Sequence, residues 1–380
     1  MTGSRRTGTQ PGAEAAGTRA GGPKPVSTGP GSGPGLPPGT PADRDSTPAG
    51  TQPPSSRPVS GPANRPRNIP EGDTSRPGVG PSGPTSRRTP SPAPSLAAIS
   101  PRLEPRDYVL AHLLHEHRTL TTEQVTAMLF TSPRTCRNRL NVLRRLGWID
   151  WFQPIRPGTR LPVHWIAGPL SARYVALATG GRAPTAKALR ETQDRIVAAT
   201  SHLVHTVGTN QFFVDLIAAS RRGRGRLTRW WAGLVIAGAT GRRVHPDGHG
   251  VWQDRDATVA WFLEFDTGTE SLPVVAAKLP PYRRLREAGG PGWPVLILLP
   301  GPDRETHLHQ HLSRAGRIGV TVATATHAPA HRDPTGPIWR LVGNGRRRHR
   351  LTDLPAEIGV AGGFHPGPPI PEQDPLYLLG

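Results

Sequence analysis

The chain has 380 residues, with 47 Lys and Arg against 27 Asp and Glu, a net charge of +20. Such a balance calls for an acidic partner: DNA, RNA or an anionic membrane. No apolar run is long enough to span a membrane, the arginine-bearing N-terminus lacks the apolar stretch of a secretory signal, and the single cysteine, Cys136, excludes an internal disulfide and disfavours a Cys-rich zinc site. The expectation is a cytoplasmic protein bound to nucleic acid, with GC-rich coding bias as the competing source of the arginines.

Residues 1–100 are dominated by Gly, Pro, Ser, Thr and Arg. They offer too little apolar surface to offset ordering entropy and read as a disordered tail. The rest is long enough for two modest domains. In "EPRDYVLAHLLHEHRTL", Tyr108, Val109, Leu110, Leu113 and Leu114 have helical spacing. In "TLTTEQVTAMLF", Thr121 and Gln124 fit a capping box, and Val125, Met128 and Leu129 share one face. A third helix follows, with Ser132 as N-cap, Pro133 in its first turn and Gly147 as its stop. Its inner stripe is Cys136, Leu140, Leu143 and Leu146; its outer face carries Arg134, Arg137, Asn138, Asn141, Arg144 and Arg145. Two strands around "IRPGTR" come next. Residues 103–180 therefore read as a winged helix-turn-helix. Arg and Asn on the third helix suit guanine and adenine edges in the major groove, and Arg156 and Arg160 on the wing suit phosphate or the minor groove. The bland alternative is a helical bundle with a solvated basic face.

Residues 190–345 read as αβββαβαβ, an α+β to α/β unit with a mixed sheet, ahead of a Pro/Gly-rich tail from 346 to 380. A long helix opens the unit, with Gly208 as its expected break. "LTRWWAGLVIAG" reads as a strand, and "WPVLILLPG" and "GVTVATATH" as buried strands. Between them lies "HPDGHGVWQDRDATVAWFLEFDTGTES", with acids in strand-like sequence. A hairpin turn centred on Arg255 and Asp256 pairs Trp252 with Val259. The same index sum sets Asp247 opposite Glu264. Glu264 and Asp266 then share a face, so three carboxylates converge at the strand end. Such acids either cap turns in water or hold a cation, and all-oxygen ligands suit Mg²⁺ or Mn²⁺.

Pro246–Asp247, the hairpin and the "EFD" of Glu264–Asp266 resemble the PD-(D/E)xK nuclease fold, a restriction-endonuclease-like sheet with flanking helices. The resemblance implies metal-dependent phosphodiester chemistry, with Asp247, Glu264 and Asp266 as metal ligands. The pattern has Lys where this chain has Asp266. Some members take that lysine from the following helix, where Lys278 lies; the other lysines are Lys24 and Lys187. Arginine cannot be deprotonated and replaces such a lysine poorly. The catalytic set implied is Asp247, Glu264, Asp266 and Lys278. "HPDG", "EFDTGTE" and Lys278-Leu-Pro-Pro-Tyr282 together resemble the replication-relaxation family of actinobacterial plasmid and integrative-element proteins, with His245 in place of a basic residue. That resemblance implies double-stranded DNA of a plasmid or integrative element as partner and a role in replication or relaxation, by metal-dependent nicking or as a non-catalytic initiator or regulator. A homodimer is left open.

Other residues carry blander readings. His307, His309 and His311 scatter around a helix and read as exposed. Thr267, Thr269 and Glu270 read as helix caps ahead of groups that support a metal's ligands, and Asp215 as a solvated helix residue ahead of a further carboxylate. Trp230 and Trp231 read as core. No Walker A pattern and no relaxase-type His cluster with a catalytic Tyr is present.

Overall fold

A computed structural model describes residues 95–255, 257–316, 318–327 and 333–379. The disordered-tail reading of residues 1–94 lies outside them. The last residues of that expected tail are ordered: α1 (Leu96–Ile99) is capped by Ser95 and buries Ile99.

α2 (Pro105–His117), β1 (Leu120–Thr121), α3 (Thr122–Leu129) and α4 (Pro133–Arg145) are followed by β2 (Ile149–Phe152), β3 (Ile155–Arg156), β4 (Thr159–Arg160) and β5 (His164–Ala167). β1, β5 and β2 form a three-stranded sheet, and β3–β4 is a separate two-stranded hairpin tip. The α3 capping box forms as expected: the Gln124 amide donates to Thr121 Oγ1 at 3.2 Å, and the Thr121 amide to Gln124 Oε1 at 3.0 Å. Ser132 sits at the α4 N-cap but makes no side-chain capping bond. Cys136, Leu140 and Leu143 are fully buried, as the spacing requires. Arg139 turns inward and pairs with buried Asp107, which fixes α4 against α2.

α5 (Pro169–Ala178), α6 (Ala186–Ala198) and α7 (Thr200–Arg221) lead into the second sheet. The expected break at Gly208 is absent. The chain breaks instead at Ala199, which leaves helical geometry with φ −80° and ψ 45°. Gly208 lies within α7 because Phe265 packs on it: a Cβ there would stand 2.2 Å from the ring.

The seven-stranded sheet has the order β12-β11-β10-β9-β8-β7-β6. Its strands are β6 (Arg226–Ala232), β7 (Gly248–Asp254), β8 (Ala257–Phe265), β9 (Val295–Leu299), β10 (Val322–Thr326), β11 (Trp339–Leu341) and β12 (Arg348–His349). β8, β9 and β10 are parallel and the outer neighbours antiparallel. The helices α8 (Gly233–Ala239), α9 (Leu272–Ala277), α10 (Leu279–Glu287) and α11 (Pro302–Arg314) complete the unit. "LTRWWAGLVIAG" is thus strand only to Ala232; its second half is α8, with Ile236 and Ala237 buried and Leu234 exposed.

One face of the sheet packs Phe212, Phe213 and Leu216 of α7 against Trp261, Leu263 and Phe265, and this core runs on without a gap into α2, α3 and α4. The other face buries Phe262, Val295 and Ile297 under Tyr282, Leu285 and Leu308. The two expected domains therefore share one apolar core. Residues 346–379 do not trail away as a tail. β12 adds to the sheet edge, and Leu351, Leu354 and Leu376 are buried.

Candidate functional site

The hairpin register is the one the index sum demands: Trp252 faces Val259 and Gly248 faces Leu263. The register ends at Gly248 and Leu263; Asp247, one residue before β7, donates its amide to Leu263 O at 2.8 Å instead of pairing with Glu264 as expected. Its carboxylate folds back onto the end of β8. Oδ2 accepts from the Phe265 amide at 2.7 Å and lies 3.1 Å from His205 Nε2 on α7. The bond to Asp247 raises the His205 pKa above its ordinary value, against the pull of burial.

Glu264 is 5% exposed, on the opposite side of the sheet from α7. Tyr282 donates to its Oε1 at 2.5 Å, and Lys278 Nζ lies 3.5 Å from its Oε2. Lys278 and Tyr282 are four residues apart, so one side of the α9–α10 junction presents both. Lys278 closes α9 and opens α10, just ahead of Pro280 and Pro281. Burial, then the charge of Asp247, push the Glu264 pKa up to about 7, beyond what Tyr282 and Lys278 can offset. A buried acid whose charge is opposed by a neighbouring carboxylate gains from a cation. Burial opposes the charge on Lys278, but Glu270 at 2.8 Å, with Glu264 and Asp247, outweighs it and raises the lysine pKa. Lys278 is thus held as an ammonium.

The expected convergence of three carboxylates reduces to two. Asp266 is buried but bound elsewhere: Arg304 Nε donates to its Oδ2 at 2.5 Å and the Gly268 amide to its Oδ1 at 2.7 Å. Arg304 also donates to Glu270 O at 2.5 Å. Asp266 therefore clamps the 266–270 loop that delivers Glu270 to Lys278. Glu270 is an ion-pair partner rather than a cap; Ser271 is the α9 N-cap, and Thr267 and Thr269 bond each other at 3.1 Å. Among the described residues, no three His, Cys, Asp or Glu side chains group around one metal position.

Asp247 opens on a cleft of about 520 Å³ whose walls include His115, Arg118, His205, Trp230 and His245. His205 carries no signal in the sequence. It lies 42 residues from Asp247, and no spacing rule links the two. Asp215 is partly buried and accepts from Gln211 Nε2 at 2.7 Å. Trp230 is core, stacked between His117 and Phe213. His309, read as exposed, is buried with Nε2 2.8 Å from Thr324 Oγ1.

On α4, Arg134, Arg137, Asn138, Asn141, Arg144 and Arg145 are all exposed, and so are Arg156 and Arg160 at the hairpin tip. Arg144 lies over the Trp151 ring at 5.1 Å, which joins the helix to β2. Gly158, between Arg156 and Arg160, leaves the tip short and open.

The molecule is thus a helical unit with an exposed basic helix and hairpin, joined to a mixed α/β sheet that carries a half-buried acid–lysine cluster around Glu264. No helix among the described residues is long and apolar enough to cross a membrane. Residues 112–296 match the family model described as Replication-relaxation, so this part of the chain is similar to that family. The match spans α4, Asp247, Glu264 and Lys278. No curated protein and no solved structure matches the chain.

Proposed function

We propose that the protein binds duplex DNA through a winged helix and acts on plasmid or integrative-element DNA by metal-assisted nicking, in replication or relaxation. The observation that carries this reading is the pairing of the exposed Arg/Asn row on α4 with the Asp247–Glu264–Lys278 cluster in one compact unit. Helix α4 supplies the base-reading side chains, and Arg156 and Arg160 hold the backbone beside it. The α/β unit is read as a PD-(D/E)xK-type domain.

The donors at the site fit a hard divalent cation, since Mg²⁺ commonly takes one or two carboxylates and completes its shell with water and phosphate. Asp247 and Glu264 would hold it. When bound, it supplies Lewis-acid stabilisation of phosphate charge and a lowered pKa for water. Asp266 stands outside that set, as the loop clamp. His205 and the Phe265 amide fix the Asp247 carboxylate. Lys278, held as an ammonium, faces the same acids and is placed to meet a phosphate oxygen.

A second reading is favoured by Asp266 itself. Where the nuclease pattern has lysine, this chain has an acid committed to Arg304. A non-catalytic initiator or regulator would keep the basic helix and use the α/β unit as a scaffold.

One experiment separates them. Supercoiled plasmid is incubated with Mg²⁺ or Mn²⁺ and either the wild type or the Asp247→Ala/Glu264→Ala pair, while Mn²⁺ binding is followed by electron paramagnetic resonance without DNA. Open-circular product and bound Mn²⁺ from the wild type alone are expected. Intact DNA binding without nicking or bound Mn²⁺ would leave the scaffold reading standing.

A further inference from the structure

We propose that the groove between α11 and the β11–β12 hairpin is a second contact surface for the phosphate backbone of duplex DNA, distinct from α4. It lies outside the segment that matches the family model. The groove holds about 900 Å³, and Arg314, Arg340, Arg346 and Arg348 line it together with Gln310 and Ser313.

The charges there are unequal in role. The carboxylate in the lining, Glu305, is 1% exposed and already neutralised. Arg348 grips it with Nη1 at 3.1 Å and Nη2 at 2.6 Å, and Thr324 Oγ1 donates at 2.6 Å. Arg348 is therefore structural. No carboxylate among the described residues forms an ion pair with Arg314, Arg340 or Arg346. His309, deeper in the wall, adds no charge at neutral pH, because burial and the nearby arginines lower its pKa to about 4.

The turn that carries Arg346 has a defined shape. Gly343 and Gly345 take φ of +83° and +62°, conformations that favour glycine, and Arg340 Nε ties the turn by donating to Gly345 O at 2.9 Å. A basic edge strand also discourages unwanted strand pairing. That purpose needs charge on β12 alone. Here Arg314 comes from α11 and faces the same groove. Three guanidinium groups without a carboxylate partner among the described residues, from α11 and the β11–β12 hairpin around an open groove, match a run of backbone phosphates, which arginine grips in bidentate fashion.

The test uses the full chain, a fluorescein-labelled duplex of random sequence and anisotropy at several salt concentrations. It compares the wild type with an Arg314→Gln/Arg340→Gln/Arg346→Gln triple and with an Arg134→Gln/Arg137→Gln/Arg144→Gln helix triple. The groove triple should lower the slope of log affinity against log salt by about 2–3 and weaken low-salt binding about tenfold or more. An unchanged slope with native melting overturns the proposal. Should the triple melt early, Arg346→Gln alone, at the exposed turn, should still lower the slope by about 1. Loss confined to the helix triple sinks the groove and leaves the winged-helix reading intact; loss confined to the groove triple does the reverse. An equal loss of poly-glutamate binding would make the groove a general anion patch and also overturn it.

Discussion

Asp266 and Glu116 show how much one residue's surroundings decide. Asp266 sits in sequence where a nuclease lysine is expected, yet Arg304 and the Gly268 amide claim both its oxygens. The partner is 38 residues away on α11, so spacing could not reveal it. Glu116 on α2 accepts from the Ala232 amide at 2.8 Å, but burial, reinforced by Asp374, pushes its pKa up to about 7. The folded protein then holds a proton that the unfolded chain has released. The stability lost through Glu116 grows as pH rises from the ordinary carboxylate range through about 7. Glu116→Gln keeps the acceptor and removes the charge. It should raise stability over the wild type by about 1–2 kcal/mol at pH 8 and leave it unchanged near pH 4, by linkage. Urea midpoints that differ equally at both pH values would sink this account.

At the scale of elements, local signals worked where packing agreed with them. The α3 capping box, the Pro133 start of α4 and the β7–β8 register all rest on near neighbours in the chain. Failures came where a distant surface overrode propensity. Helix α7 runs through Gly208 because Phe265 on β8 lies against that glycine, an approach no local window reveals. Gly208→Ala should therefore destabilise the protein, although alanine is the better helix former. A methyl 2.2 Å from the ring forces repacking, and overpacking of this kind costs about 1–3 kcal/mol, against a helix-propensity gain of about 1 kcal/mol. A Gly208→Ala variant as stable as the wild type in chemical denaturation would show that Phe265 moves aside freely. Segment 233–239 follows the same rule. Its apolar run reads as strand, but with Leu234 and Val235 exposed and Ile236 and Ala237 buried it forms one short helix that buries a single side.

The whole molecule is held by segments far apart in sequence. Asn210 Nδ2 on α7 donates to His117 O and Thr119 O, and Arg221 Nη1 to Ala127 O and Phe130 O, so the basic helical unit is bolted to the sheet unit. The C-terminal segment adds a clasp. Arg229 on β6 donates to Gly367 O and Pro368 O, Arg226 lies over Tyr377, and Leu376 is buried beside α2 and β6. Truncation after residue 366 would remove Leu376, uncover the α2 and β6 surface it packs on, and strand the largely buried Arg229 guanidinium. The expected result is a loss of about 3 kcal/mol or more, from one core side chain lost and one buried cation left unpartnered. Differential scanning calorimetry should record a lower melting temperature; an unchanged one would make the clasp incidental.

Local patterns in the chain were enough for the basic character, the helix–helix–helix–hairpin order before residue 168, the strand order around the acids, and the β7–β8 register that leaves Asp247 near the end of β8. These follow from hydrophobic period, capping chemistry and the constant index sum of a hairpin, which act over a few residues. Long-range packing alone set that Asp247 meets His205, that Lys278 is shared between Glu264 and Glu270, that Asp266 serves Arg304, and that the Pro/Gly-rich C-terminal segment closes the core. Each of these joins elements tens of residues apart, and the partner of a buried charge is set by which surfaces the sheet order brings together.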